Sequence, residues 1–189
     1  MDITLETEHL LLKVLNPAYA PQVLEFYDTN RAHFEPWEPQ RAINFYSESF
    51  QRANLTCEYN EMIKSRFLRY WIFPKDNPER IAGTVCFNNI MNGAFQSCMI
   101  GYKISREFCR RGYAGEACGH ALEVIYNNYG FHRIEALIHP DNLPSMRLIE
   151  KLGFHNEGLS LSCVQIGGCW EDHYRYAKIA PPRRTWQSI

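Results

Sequence analysis

The sequence has neither a marked excess of one charge nor a long apolar run. Lysine and arginine number 20 and aspartate and glutamate 21, which gives a formal net charge of −1. A general affinity for nucleic acid needs clustered cations, so this balance disfavours such a role. No segment approaches the roughly 18 apolar residues of a membrane span, and residues 1–4 do not begin a secretion signal. We therefore expect a soluble cytoplasmic protein that binds neither nucleic acid nor membrane.

The chain contains seven cysteines, but no two of them have the spacing of a C-x-x-C pair. They are Cys57, Cys86, Cys98, Cys109, Cys118, Cys163 and Cys169. The odd number, the lack of a C-x-x-C pair and the lack of histidines at zinc-finger spacing predict reduced thiols and no bound metal. A catalytic thiol would need a partner histidine, and the sequence shows no recognisable one.

Two common nucleotide-binding loops are absent, because the sequence contains neither G-x-x-x-x-G-K-[ST] nor G-x-G-x-x-G. There is no internal repeat and no low-complexity segment either. A chain of 189 residues with 46% apolar and 22% charged residues suits one globular domain. We assign that domain to residues 1–180 and expect residues 181–189 to form a loose tail.

Apolar runs of strand length predict one sheet. The predicted strands cover residues 10–15, 67–73, 81–90, 95–104, 132–139, 158–164 and 170–179. The second to fourth of these are joined by short turns and predict a meander, and the last two flank a Gly-Gly turn and predict a hairpin. The middle strand of the meander is apolar on both faces, which indicates that helices cover both sides of the sheet.

Helical periodicity predicts the remaining elements. The predicted helices follow Pro17, cover residues 40–64 as one long or two shorter segments, cover residues 112–128, and run from the N-cap Asn142 to Gly153. The helix at 112–128 has the clearest apolar stripe. The segment 34–39 contains two prolines, which predict a loop without regular structure.

A basic, glycine-bearing turn precedes the clearest helix and predicts a phosphate site. Residues 109–117 read Cys-Arg-Arg-Gly-Tyr-Ala-Gly-Glu-Ala. Amide N–H groups in a first helical turn lack internal partners, and the helix dipole is positive there. The missing side chains of Gly112 and Gly115 would let an anion approach, while Arg110 and Arg111 add positive charge. Taken alone, the same turn is also typical of a surface helix start with solvated arginines.

The turn and the later helix together resemble the GNAT superfamily of acyl-CoA N-acyltransferases, specifically its ribosomal-protein alanine N-acetyltransferase branch. Residues 110–114 resemble the pyrophosphate loop, and residues 142–154 reproduce the signature N-x-x-S-x-R-L-x-x-K-x-G-F. Further matches are Glu-Gly at 157–158, G-x-W-x-D-H at 168–173 and Pro-Trp-Glu-Pro at 36–39.

The resemblance covers nearly the whole chain and is loosest between residues 40 and 66. It implies an α/β (α+β) fold whose mixed, mostly antiparallel, twisted sheet of about seven strands is flanked by helices. It also implies acetyl-CoA as co-substrate, with no metal. One position departs from the family, since Cys109 stands where many members have Gln or Arg. Most diphosphate contacts would come from backbone amides, so we expect binding to survive.

The resemblance also implies where the co-substrate binds. The implied contacts are Tyr102, Ile104, Arg110, Arg111, Gly112, Tyr113, Ala114, Gly115, Asn142 and Arg147. The acetyl carbonyl would accept a main-chain hydrogen bond within residues 101–105. Asn142 would hold the pantetheine arm, and Ser145 would protonate the departing thiolate. Asn142 is equally suited to be a helix N-cap, and Ser145 to be a small residue in a packed helix.

No residue stands out as the general base. Glu35, Glu38, His139 and Glu157 are candidates; of these, we take Glu38 as catalytic and Glu35, with Trp37, as acceptor-binding. Structural alternatives remain open: Glu38 could cap a helix starting at Pro39, and Trp37 could cover the core.

An α-amino group with a pKa near 8 needs less help from a base than a lysine near 10.4, so the α-amine is the better acceptor. The predicted function is therefore acetyl transfer to a primary amine, with the N-terminus of a ribosomal or other protein as acceptor. Two alternatives stay open, namely a small-molecule amine or antibiotic as acceptor, and a non-catalytic acyl-CoA sensor. Monomer and homodimer are both compatible with the sequence.

Overall fold

The computed structural model describes residues 4–180, so the predicted tail at 181–189 lies outside them. The strands are β1 (Thr4–Glu6), β2 (Leu10–Lys13), β3 (Leu68–Pro74), β4 (Gly83–Met91), β5 (Ser97–Ile104), β6 (Arg133–Ile138), β7 (His155–Ile166) and β8 (Cys169–Ile179). The helices are α1 (Ala20–Thr29), α2 (Arg31–Phe34), α3 (Glu48–Ile63), α4 (Tyr113–Val124) and α5 (Leu143–Lys151). Within these residues, no helix is long and apolar enough to cross a membrane.

The eight strands form one sheet in the order β1-β2-β3-β4-β5-β6-β8-β7. Neighbours are antiparallel except β5 and β6, which are parallel. The predicted mixed, mostly antiparallel sheet flanked by helices is confirmed, and so is the terminal hairpin. The strand that the sequence did not reveal is β1, whose three residues include one apolar side chain, Leu5.

Successive residues of the central strands face helices on opposite sides of the sheet. On β3, Tyr70 and Ile72 lie in the apolar cluster that includes α4 and α5, whereas Trp71 and Phe73 lie in the cluster that includes α1 and α3. All four side chains are at most 1% exposed. The alternation follows from the two-residue period of a strand, and it explains why the sequence is apolar on both faces.

The prediction for residues 40–64 was partly wrong, because only Glu48–Ile63 is helical. Ser47 caps this helix by accepting a hydrogen bond from the Phe50 amide. The preceding turn is held by tertiary packing. Phe45 is 6% exposed and packs edge-on against Tyr27 at 4.9 Å, and the buried Gln51 donates to the Phe45 carbonyl.

The prediction of an irregular loop at residues 34–39 also needs correction. Glu35–Trp37 forms one turn of 3-10 helix, with Pro36 in its first turn, where a missing N–H is tolerated. Glu38 is extended and caps no helix, since the next one begins at Glu48. We refer to residues 35–38 as the acceptor strap, because they cross the sheet on the side of α1 and α3.

The parallel pair β5 and β6 contains an opening in the sheet. The two strands pair only at Ser97–Arg133, Cys98–Ile134 and Met99–Glu135, although β5 continues to Ile104 and β6 to Ile138. Their carboxyl-terminal halves therefore border a gap. In open α/β sheets, ligands bind at such carboxyl ends, where neighbouring connections run to opposite sides.

Candidate active site

The predicted phosphate turn lies at the carboxyl end of β5. Arg110 and Gly112 have left-handed backbone conformations, with φ of 64° and 84°, and Arg110, Arg111 and Gly112 are exposed. The first intrahelical bond of α4 runs from the Glu116 amide to the Gly112 carbonyl. The amides of the three residues between them precede that bond and are available to an anion.

The two arginines of the turn are not neutralised by the protein. In residues 4–180, neither Arg110 nor Arg111 forms an ion pair with a carboxylate. The Arg111 guanidinium lies 5.0 Å from the centre of the Phe108 ring. Exposed cations beside open amides form a donor set that fits a diphosphate.

Gly115 and Gly119 of α4 face the helix α5. A Cβ atom at Gly115 would lie 3.7 Å from Leu148 of α5, and one at Gly119, a turn later, would lie 3.7 Å from Leu152. Both glycines therefore lie at the contact between α4 and α5, where an added Cβ would make ordinary van der Waals contact. This packing brings the start of α5 to the same end of the sheet as the phosphate turn.

Asn30 joins α1 to the segment that leads into the phosphate turn. Its Oδ1 accepts from the Ser105 hydroxyl at 3.1 Å and from the Arg106 amide at 2.9 Å, and its Nδ2 donates to the Phe26 carbonyl at 2.8 Å. Asn30 is 5% exposed. No sequence pattern indicated this contact, which joins residues 75 positions apart.

We expect Asn30→Ala to lower the free energy of unfolding by about 2–3 kcal/mol, because it leaves two buried polar groups without a partner. Urea unfolding measures the change. The matched control is Asn127→Ala at an exposed position, which we expect to change stability by less than about 0.5 kcal/mol. Equal stability of the two variants would contradict this role of Asn30.

Cys109 is not an activated nucleophile, although the structure supplies a histidine that the sequence did not reveal. Its Sγ lies 3.7 Å from His33 Nε2 and donates to the Ser105 carbonyl at 3.5 Å. Burial raises the pKa of the Cys109 thiol, against the opposing effect of Arg110 and Arg106. All seven cysteines are free.

Glu116, in the first turn of α4, is bonded to the turn between β1 and β2. Its carboxylate accepts from the Thr7 hydroxyl at 2.5 Å, from the His9 amide at 2.7 Å and from His9 Nδ1 at 3.0 Å. Burial alone would raise the pKa of Glu116, but these hydrogen bonds lower it below the usual value. They thus fix the helix that carries the phosphate turn.

We expect Glu116→Gln to cost about 1–2 kcal/mol of stability at pH 7. A carboxyl whose pKa is lowered by folding contributes its full stability above the unfolded pKa, near 4.5, and loses it as the pH falls through the folded pKa. The difference between wild type and variant should therefore shrink progressively as the pH falls below about 4.5. Urea titrations from pH 3 to 7 measure this trend. Glu123→Gln, exposed on the same helix, is the control, and a pH-independent difference would contradict the prediction.

Ser145 and Tyr102 meet on the α5 side of the gap between β5 and β6. The two hydroxyl oxygens are 2.7 Å apart, and the Tyr102 hydroxyl also lies 3.1 Å from the Ser145 carbonyl. Burial raises the pKa of Tyr102, with the Ser145 hydrogen bond opposing it, so the phenol stays protonated at neutral pH. The Tyr102 hydroxyl donates to the Ser145 carbonyl, and either hydroxyl can be the donor in the 2.7 Å contact, so Tyr102 can donate to the serine oxygen once the serine proton has left.

Asn142 is the N-cap of α5, because its Oδ1 accepts from the Ser145 amide at 3.2 Å. The structural alternative for Asn142 is thereby confirmed, while its amide nitrogen is still available to a ligand. Arg147 is exposed on the same helix, and Ile104, at the end of β5, is half-buried against the core. The structure brings Tyr102, Ile104, Asn142 and Ser145 to the borders of one gap.

The predicted base Glu38 is occupied by other contacts. Its carboxylate forms ion pairs with Arg41 and Lys103 and is 14% exposed. Both carboxylate oxygens of Glu38 are thus engaged by cations, which leaves neither free for an acceptor amine. Glu35, an exposed residue, accepts from the Tyr46 hydroxyl at 2.9 Å. Glu157 pairs with Arg133, which leaves this candidate similarly engaged.

Lys103, on β5, is a site residue that sequence reasoning passed over. Its ammonium lies 5.4 Å and 5.5 Å from the rings of Tyr27 and Phe34, beside Glu38. Burial lowers the pKa of Lys103 to about 8. The available signal was a lysine in a strand whose other side chains are mostly apolar.

Trp37, the residue before Glu38 in the acceptor strap, lies against His139 at the end of β6. The Trp37 ring is 5.8 Å from the His139 ring, which follows β6 and lies 5.6 Å from His173 of β8. Trp37 is 39% exposed. Because Glu38 contacts β5 and Trp37 contacts the end of β6, the strap spans the gap on the side opposite Ser145. Across residues 4–180, no cluster of three or more acidic, histidine or cysteine side chains is placed to hold a metal.

Sequence comparison matches residues 9–155 to the acetyltransferase (GNAT) domain family. The chain is 34% identical over 178 residues to the probable N-acetyltransferase YjcK of Bacillus subtilis (strain 168), covering 94% of this chain and 97% of that protein. It is 31% identical over 180 residues to the ribosomal protein uS5-alanine N-acetyltransferase of Escherichia coli (strain K12), covering 95% and 92%.

Two solved structures extend the similarity to the fold. The ribosomal-protein-S5-alanine acetyltransferase of Vibrio fischeri has a TM-score of 0.89 at 26% identity, with 99% of this chain and 100% of that chain covered. RimJ of Mycobacterium smegmatis, solved in complex with CoA-disulfide, has a TM-score of 0.85 at 26% identity, covering 90% and 82%.

Proposed function

The chain belongs to the GNAT acetyltransferase family and is an acetyl-CoA-dependent N-acetyltransferase, and from this premise we propose that its acceptor is the N-terminal α-amine of a protein, ribosomal proteins being the first to test. The reaction would then take place in the cytoplasm, where ribosomal proteins are made. We further propose that residues 1–180 act as one N-acetyltransferase domain.

One observation supports the site above all others. The exposed, left-handed turn at 110–112 and the Tyr102–Ser145 hydroxyl pair lie at the carboxyl ends of the two strands that separate. The turn supplies amides and cations for a diphosphate, and the gap between the strands leads from it toward Ser145. A thioester carried by the same molecule would thereby reach the serine hydroxyl.

The residues at the gap can carry out the proton transfers of aminolysis. The amine nitrogen forms a bond to the acetyl carbon, and the carbon–sulfur bond breaks with its electron pair on sulfur. Ser145 gives its proton to that sulfur, while the buried Tyr102 hydroxyl donates to the serine oxygen and limits its negative charge. A main-chain amide of residues 101–105 would stabilise the oxyanion.

The acceptor side of the site favours an amine whose ammonium form has a low pKa. Trp37 presents an exposed ring, and the carboxylates of Glu171 and Asp141 are 42% and 85% exposed nearby, within 3.9 Å of His139. An ammonium group is attracted to both features. Glu38 is paired with Arg41 and Lys103 and is not free to act as a base. An α-amine, which needs less help from a base than a lysine, is therefore the better acceptor.

A thiol-release assay with acetyl-CoA tests the acceptor class. The acceptors are a peptide with a free N-terminal alanine and no lysine, the same peptide with its N-terminus blocked and one lysine added, a polyamine and an aminoglycoside. We expect thiol release with the first peptide and little with the second. Release only with the small amines would overturn the proposed acceptor, and CoA binding without release from any acceptor would indicate a sensor.

A further inference from the structure

The ion pair between Lys103 and Glu38 attaches the acceptor strap to the sheet, and the proposed function has not used it. We propose that Lys103 is a positioning residue for the acceptor amine, because it holds the strap in place over the gap between β5 and β6. This inference rests on the proposed acetyl transfer and names the residue that shapes the acceptor entrance. Lys103 acts through the strap and not on the reacting atoms.

Lys103 stands at the edge of the gap. The last rung between β5 and β6 joins Met99 to Glu135, whereas Lys103 lies further along β5 and pairs with Thr84 of β4 on the other side. Residues 101–105 also contain the amide that we expect to stabilise the oxyanion. The backbone of Lys103 therefore belongs to the donor side of the site.

The side chain of Lys103 lies on the opposite face of the sheet from that of Tyr102. Tyr102 contacts Ser145 on the α5 side, whereas the Lys103 ammonium lies near the rings of Tyr27 and Phe34 on the α1 side. This alternation follows from the two-residue period of a strand. One residue thus connects the segment that faces the acetyl group to the strap that faces the acceptor.

The two cations that bind Glu38 hold it in different ways. Arg41 binds Oε2 from three positions further along the same segment, and its guanidinium also lies 4.2 Å from the centre of the Phe45 ring. Lys103 binds Oε1 across 65 positions of the chain. Arg41 therefore fixes Glu38 within its own segment, whereas Lys103 attaches it to β5.

The ion pair is shielded from water, which makes it the stronger of the two contacts of the strap across the gap. The side chains of Lys103 and Glu38 are 21% and 14% exposed, so salt and water screen their attraction less than on the surface. The other contact is between the rings of Trp37 and His139, and Trp37 is 39% exposed. The position of the strap therefore depends mainly on Lys103.

Acceptor kinetics at pH 7 test this role. Lys103→Met keeps an apolar stem beside the rings of Tyr27 and Phe34 but removes the ammonium. Because the strap is then released from β5, we expect KM for the N-terminal alanine peptide to rise about 10-fold, while kcat and the Kd for CoA change less than about threefold. Lys75→Met, which removes the ion pair with Glu6 directly after β3, is the matched control and should keep the wild-type values.

A double-mutant cycle with Glu38→Gln distinguishes positioning from a direct effect of charge. Glu38→Gln should also raise KM, and the double variant should have about the same KM as either single variant, because both changes remove one contact. A lower KM in Lys103→Met would mean that the ammonium only repels the cationic acceptor, and it would overturn the inference. Independent, additive effects of the two changes would overturn it as well.

Thermal unfolding and CoA binding show whether each variant is folded. Should Lys103→Met fail to fold, the KM of Glu38→Gln decides by the same criterion. The KM is measured with whichever acceptor the wild-type protein uses, so a wild-type KM in both variants defeats this inference alone. Wild-type protein that acetylates no acceptor defeats the proposed function together with it.

Discussion

Replacement of Ser145 by alanine is expected to lower kcat about 100-fold while the Kd for CoA changes less than about twofold. The variant removes the hydroxyl that lies 2.7 Å from Tyr102 but keeps the backbone amide that bonds to the Asn142 cap. The helix start is therefore preserved. Because the proton donor acts on sulfur only as the carbon–sulfur bond breaks, its loss raises the barrier without weakening ground-state binding.

Single-turnover thiol release and calorimetric CoA binding together test this prediction. Ser49→Ala, exposed on α3, is the matched control and should behave as wild type. Tyr102→Phe should give a smaller loss of kcat than Ser145→Ala, because it removes only the support of the serine oxygen. Wild-type turnover by Ser145→Ala would remove the serine from the mechanism.

Gly112→Val is expected to weaken CoA binding about 30-fold, which corresponds to about 2 kcal/mol. Gly112 has a φ of 84°, and left-handed backbone costs an ordinary residue about 1–2 kcal/mol and a β-branched one more. The Cβ itself would meet no atom within 4 Å. The strain therefore acts on the direction of the amides in the turn, and these amides form the proposed diphosphate site.

Gly93→Val separates this effect from general destabilisation. Gly93 has a φ of 69° in the turn between β4 and β5, and a Cβ there also meets no atom within 4 Å. Both variants should lose comparable thermal stability, but only Gly112→Val should lose CoA affinity. Equal CoA binding by the two proteins would contradict a role for the turn at 110–112.

Local patterns predicted most of the fold. The stripe of α4 and the alternation in the meander follow from residues a few positions apart, so they can be read along the chain. Element ends were less predictable. The helix at 40–64 begins late because Phe45 packs against Tyr27, 18 residues earlier in the chain. Such packing overrides local propensity, and no sequence window contains it.

The phosphate side and the acceptor side of the site also differ in how far they could be predicted from the sequence. The phosphate turn and the start of α5 are continuous segments, so both could be located from the order of residue types. The acceptor side is assembled from separate elements. Lys103 meets Glu38 across 65 positions, and Trp37 meets His139 only because the strap crosses the sheet. The sequence offered four candidate bases, and only contacts between distant residues show that Glu38 and Glu157 are held in ion pairs.

The gap between β5 and β6 also links the donor and acceptor sides mechanically. On one face the Tyr102–Ser145 contact crosses it, and on the other face the strap crosses it from Lys103 to His139. Three rungs of the β5–β6 ladder join the two parts of the sheet at the far end. Because a contact crosses the gap on each face, we expect a reactant that widens the gap on one face to alter the geometry that the other reactant meets.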